Sequence, residues 1–204
     1  MQGLQWVPAG YLLTYGGFML LGGRAADLLG RRRILVVGVV VIGTSSLVGG
    51  FANTAGVLVA ARLAQGLGAA MTLPAALSIL ATSFKEGKDR HTALGVWGAV
   101  GGFASAIGVL AGGLLTLGPG WRWVMFVNPI VCVLVLGPIF RLVSAELGHA
   151  ERRHFDAVGA ILVTGGTTLL VYALVQAPSV GWADPRTVGE LVGAGVVLAA
   201  FDQA

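Results

Sequence analysis

The chain is 204 residues long, 56% hydrophobic and only 11% charged, with thirteen Lys and Arg against nine Asp and Glu for a formal net charge of +4. An ordinary soluble domain carries roughly a quarter charged residues, so a water-soluble fold of this length has too little charge to cover its apolar surface. The surplus cations lie in short segments between apolar runs, so the positive charge needs no nucleic-acid partner. Thirty-three glycines fall largely inside those apolar runs, a pattern suited to helices whose backbones approach closely in lipid. The single cysteine, Cys132, excludes an intrachain disulfide and reads as a packing residue in apolar surroundings. The first apolar run begins almost at Met1 with no cationic segment before it, unlike a cleaved signal peptide.

Taken in chain order, the apolar runs fall at about 7–23, 34–52, 56–80, 92–116, 122–142 and 157–177, with a seventh beginning near 187. Each complete run is near the roughly 20 residues needed to cross the hydrocarbon core as a helix. The joints are Gly23 to Arg33, Asn53-Thr54, Phe84 to Arg90, Gly118-Pro119-Gly120, Ser144 to Asp156 and Pro178 to Pro185. The fold expected is therefore all-α and integral to the membrane, a polytopic helical bundle of about six complete spans and one partial span. Residues 1–143 read as an N-terminal bundle, 144–156 as a cytoplasmic linker and 157–204 as additional helices, the last incomplete.

Basic residues alternate sharply between the joints. Arg24, Arg31, Arg32 and Arg33 lie in the first, Lys85, Lys88 and Arg90 in the third, and Arg141, Arg152 and Arg153 in or beside the fifth. The other side holds Arg122 and Arg186, and Arg62 lies within a span. Loops rich in Lys and Arg stay on the cytoplasmic side, so the first, third and fifth joints are expected inside, and Met1 outside, in a multi-pass protein of the cell membrane. An uncharged start at the edge of a helix and a last run stopping at Ala204 lead us to expect a piece of a larger transporter.

Several segments carry a family resemblance. GRAADLLGRRRIL, from Gly23, resembles the cytoplasmic signature between the second and third helices of the major facilitator superfamily. RLAQGLGAA, from Arg62, resembles its fourth-helix signature. GVWGAVGGFASAIGVLAGGLL, residues 95–115, resembles the fifth-helix signature of the antiporter branch. WRWVMFVNPI, from Trp121, is similar to the start of the sixth helix in the fourteen-helix drug:proton antiporters, and FDAVGAILVTGGTTLLVYALVQ, from Phe155, to their seventh. Two positions depart from the pattern: Val109 stands where the antiporter signature has proline, and Leu28 where the first signature has a basic residue. The family's acidic first helix has no counterpart here.

The resemblance implies roles for particular residues. In the first signature Gly23, Asp27, Gly30, Arg31 and Arg32 correspond to a cytoplasmic gate, with Asp27 and Arg31 as its latching charge pair; a purely topogenic turn is the plainer reading, and the two are compatible. Arg62, with Gln65 and Gly66, corresponds to a proton-coupling site. An arginine at a helix centre costs about 2.5–3.5 kcal/mol on insertion scales, and the alternative is that it snorkels to the outer headgroups. Gln65 lies at i+3 on the face of Arg62. Gly98 and Gly102, and separately Gly108 and Gly112 with Gly113 beside them, form small-residue stripes expected to meet a partner helix. Trp97 and Asn128 are candidates for a substrate cavity. Pro74, Pro129 and Pro138 lie within spans and favour kinks; Trp6, Trp121, Trp123 and Trp182 read as interfacial anchors.

Enzymatic parts are missing. No glycine-lysine phosphate loop, nucleophile elbow or zincin helix occurs, and Gly66-Leu67-Gly68 begins like a dinucleotide fingerprint but without a preceding strand. His91, His149 and His154 read as loop histidines with no second ligand at metal spacing, so neither metal nor cofactor is expected. The function expected is proton-coupled efflux of drugs, antibiotics or other small amphipathic molecules, with substrate, protons and the bilayer as partners. The alternatives are a non-transporting remnant or scaffold that works only with a complementary transporter fragment, and an uptake carrier of the same superfamily.

Overall fold

A computed structural model of the chain describes residues 6–144 and 157–201, and every regular element among them is an α-helix. The helices are α1 (Trp6–Leu29), α2 (Arg31–Gly50), α3 (Ala55–Ser83), α4 (Lys88–Leu117), α5 (Arg122–Leu142), α6 (Ala157–Val180) and α7 (Pro185–Phe201). By length and composition, α2, α3, α4, α5 and α6 from Gly159 are apolar enough to cross a membrane. The 24-residue α1 is long enough but dilutes its apolar run with Tyr11, Thr14, Tyr15 and several glycines. The 17 residues of α7 rise about 25 Å, short of the roughly 30 Å hydrocarbon core.

The charged joints are shorter than the sequence suggests. Gly23 to Arg33 is not a loop: α1 continues to Leu29, Gly30 alone interrupts it, and α2 starts at Arg31. Arg24, Ala25, Ala26, Asp27, Leu28 and Leu29 contain no helix breaker, so charge alone does not unwind them. Gly30 turns the chain at φ 98°, a value L side chains rarely adopt. Likewise α4 begins at Lys88, so Lys88, Asp89, Arg90 and His91 are helical rather than loop residues. Asn53-Thr54 does end a span, and the Thr54 hydroxyl caps α3 by accepting from the Val57 amide at 3.3 Å. Pro74, Pro129 and Pro138 are carried inside α3 and α5 without ending them. The predicted linker lies, apart from Ser144, outside the described residues, as do His149, His154, Arg152 and Arg153.

The tightest packing joins α1 and α2 to α3, while α5 lies against α2, and α6 against both α1 and α7. Ala26 of α1, Ile34, Leu35 and Val39 of α2, Ala75 of α3 and Ile139 of α5 form a buried cluster where these helices converge. In lipid the tails are as apolar as the side chains, so association relies on close van der Waals contact between small residues. A Cβ on Gly22 would overlap the Ala70 carbonyl across α1 and α3. One on Gly38 would come within 2.7 Å of the Gly68 carbonyl oxygen, and one on Gly68 within 2.8 Å of the Gly38 carbonyl oxygen, so α2 and α3 cross through a reciprocal pair of glycines. Cys132 packs at the α2–α5 contact beside Gly43, as a packing residue should.

Candidate transport site

Arg62 and Gln65 are one helical turn apart on α3, and the i+3 relation expected from the sequence is realised: the Arg62 guanidinium donates from Nη1 to Gln65 Oε1 at 3.2 Å. The same guanidinium lies 6.0 Å from the centroid of the Tyr11 ring of α1, within range of a cation–π attraction. Its Nε is buried and has no hydrogen-bond partner. Gln65 is 3% exposed, and its Nε2 donates across the bundle to the hydroxyl of Ser46 on α2, with Met125 Sδ of α5 at 4.0 Å. Four helices thus contribute to one polar cluster, buried at Gln65, Ser46 and Met125 and half-buried at Tyr11 and Arg62. The Arg62 side chain is half-buried, and its guanidinium turns to Gln65 and the Tyr11 ring.

Gly66 serves this site by its lack of a side chain. A Cβ there would overlap the Thr14 hydroxyl and the Tyr11 carbonyl of α1. The Thr14 hydroxyl is 2.7 Å from the Leu63 carbonyl oxygen of α3, so the glycine lets α1 approach until Tyr11 covers Arg62. A buried hydroxyl in a membrane helix must find an acceptor within the protein. Tyr11, Thr14 and Ser46 were not singled out from sequence. Their signal is the same in each case: a hydroxyl inside an apolar run.

At the other end of α2 the gate residues form a second cluster. Arg31 Nε lies 3.8 Å from Asp27 Oδ1, and both side chains are substantially exposed. Arg31 also donates from Nη1 to the Thr82 hydroxyl of α3 at 2.8 Å. Arg32 donates from Nη2 to the Phe140 carbonyl of α5 at 3.1 Å, with its guanidinium 5.4 Å from the Phe140 ring centroid. The arginines therefore tie the start of α2 to the last turns of α3 and α5, where carbonyl-rich helix ends favour cations. Gly23 faces Pro74 of α3 in ordinary contact, and Gly30 forms the turn itself. These contacts gather the first joint and the ends of α3 and α5 at one end of the bundle. At the opposite end, Arg122 of α5 donates to the Ala52 carbonyl at 3.0 Å.

The antiporter-helix glycines are not packed. Gly98, Gly102, Gly108, Gly112 and Gly113 have nothing within 4 Å of a built Cβ, and α4 has no buried residue. The partner expected for this helix lies across the two halves of the carrier; among the described residues the small-residue contacts form on α1, α2 and α3. Trp97 is 39% exposed on α4, a helix that among the described residues touches only α3 and α5. Asn128 of α5 turns its Nδ2 back to the Val124 carbonyl at 3.4 Å rather than joining that cluster. Trp6 packs on Tyr172 of α6 with ring centroids 5.9 Å apart. No group of three or more His, Cys, Asp or Glu among the described residues is placed to hold a metal.

A family profile described as the Major Facilitator Superfamily matches residues 2–201. The chain belongs to the Major Facilitator Superfamily. It is 45% identical over 198 residues to the puromycin resistance protein of Streptomyces alboniger, covering 97% of this chain and 39% of that protein. It is 39% identical over 199 residues to the cephamycin export protein of Amycolatopsis lactamdurans, covering 97% and 41%. To the methylenomycin A resistance protein of Bacillus subtilis it is 33% identical over 204 residues, covering 100% and 41%. The chain thus spans about two fifths of the length of these curated relatives. Membership and its five long apolar helices make it a multi-pass helical membrane protein of the major facilitator type.

Proposed function

We propose that this chain contributes one helical bundle to a proton-driven carrier that exports antibiotic-like molecules, with Arg62 in the coupling site and Asp27 and Arg31 in the cytoplasmic gate. The observation that carries the reading is the polar cluster of Tyr11, Arg62, Gln65 and Ser46 between the helices, in a chain whose relatives are named for antibiotic resistance and export. A cation held in the membrane interior marks a functional path by default, and its unpartnered Nε offers a donor to an acidic group or substrate oxygen. Secondary transporters work by rocking two bundles around a midplane site. The bare glycine face of α4 supplies a surface for the second bundle, within one polypeptide or from a complementary fragment. The cation-rich joints face the cytoplasm in this proposal.

The test is antibiotic and dye efflux from vesicles under an imposed proton gradient, comparing this chain with a version continued to the length of its relatives. Gradient-dependent export by the continued form, abolished by an uncoupler, is the expected result. Inward accumulation or gradient-independent flux would overturn the proposal. Tags at Asn53 and Lys88 should label from opposite sides of the membrane, and labelling from one side would refute the orientation.

A further inference from the structure

We propose that Ser46 is a positioning residue for Arg62, acting through the Gln65 amide; this rests on the coupling role proposed for Arg62. Ser46 is fully buried, at 0% exposure. A serine hydroxyl has one proton and two lone pairs. The Ser46 proton goes to the Ile42 carbonyl one turn earlier on α2, so toward α3 its oxygen is an acceptor. The group opposite is Gln65 Nε2, a donor. That match fixes the sense of the amide: Nε2 faces α2, and Oε1 must face Arg62. Reversing it would set the amide oxygen against a hydroxyl whose proton is committed, and the amide NH2 against a guanidinium, which has no acceptor. Ser46 and Arg62 together fix the amide in this sense, and the Ser46 bond anchors it to α2, holding the guanidinium near the Tyr11 ring with Nε uncommitted.

Ser45, next in sequence, supplies an internal control. It is also buried, at 7% exposure, and its hydroxyl bonds only to the carbonyls of Val41 and Ile42 on its own helix. Ser45→Ala and Ser46→Ala remove the same atom from the same helix, and only the second removes the Gln65 hydrogen bond to α2.

The experiment measures modification of Arg62 by phenylglyoxal in the purified chain in micelles, followed as the mass of the Arg62 peptide across a pH series. Ser46→Ala should raise the rate by about threefold, the factor that loss of one interhelical hydrogen bond in a membrane bundle gives, and should displace its pH profile. Ser45→Ala should leave both unchanged. Equal behaviour of the two variants, or a Ser46→Ala profile matching the parent, would overturn the positioning role. Proton-driven efflux by the continued carrier separates this result from the coupling role. Efflux intact in Arg62→Lys with Arg62 still unmasked by Ser46→Ala removes the coupling role and keeps the positioning. Efflux lost in Arg62→Lys with no effect of Ser46→Ala on Arg62 reactivity removes the positioning alone.

Discussion

Replacing Gly66 by alanine places a methyl group onto the Thr14 hydroxyl and the Tyr11 carbonyl, with the Tyr15 amide nitrogen 3.0 Å away. Two of those three atoms are helix backbone and cannot rotate aside, so α1 and α3 must separate. Overpacking of this kind costs about 1–3 kcal/mol. The separation also stretches the Thr14 to Leu63 hydrogen bond, now 2.7 Å, and such interhelical bonds in membranes average about 0.6 kcal/mol. Alanine recovers about 1 kcal/mol through helix propensity. The net expectation is a loss of about 0.6–2.6 kcal/mol. Gly98→Ala makes the identical chemical change where nothing lies within 4 Å, so only propensity remains and the variant should be level with the parent or up to about 1 kcal/mol more stable. Reversible unfolding of the purified chain in mixed micelles, followed by circular dichroism, measures both. A Gly66→Ala variant as stable as the parent, or two variants shifting equally in the same direction, would refute the contact argument.

Asp27→Asn should reduce efflux by the continued carrier while leaving the amount of inserted protein unchanged, because the lost charge partners Arg31 at an exposed helix end; unaltered transport would refute the latch. Arg32→Leu removes the donor to the Phe140 carbonyl. At a partly exposed site this costs about 1 kcal/mol, so amide exchange near the end of α5 should speed up roughly fivefold, and equal exchange would count against the tie. Arg62→Lys keeps the charge but loses the planar face toward Tyr11 and the fixed fork of donors. Coupled efflux should fall sharply, and full retention would show that the charge alone suffices.

Periodicity within a helix was legible in the sequence, and contacts between helices were not. Arg62 and Gln65 share a face because the helix itself sets their spacing, so their pairing follows from numbering alone. Ser46 joins them only because Gly38 and Gly68 bring α2 and α3 together in one register, a relation no local pattern specifies. The small-residue stripes show the same limit. Gly98 and Gly102 carry the pattern that implies close packing, as Gly66 and Gly22 do, yet only the latter two meet another backbone. The arginine-rich joint was misread because its charges suggested a solvated loop, when helix continues until Gly30. Membrane class and family were readable throughout, since they depend on composition and ordered motifs rather than on which helix lies beside which.

The α2–α5 pair is fastened at three levels: Arg32 to Phe140 near one end, Gly43 against Cys132 in the middle, and Arg122 to Ala52, just past the last residue of α2, at the other. Two antiparallel rods pinned at both tips and the centre keep a constant spacing and offer no pivot to one another. Among the described residues these two cylinders therefore form one stiff lever.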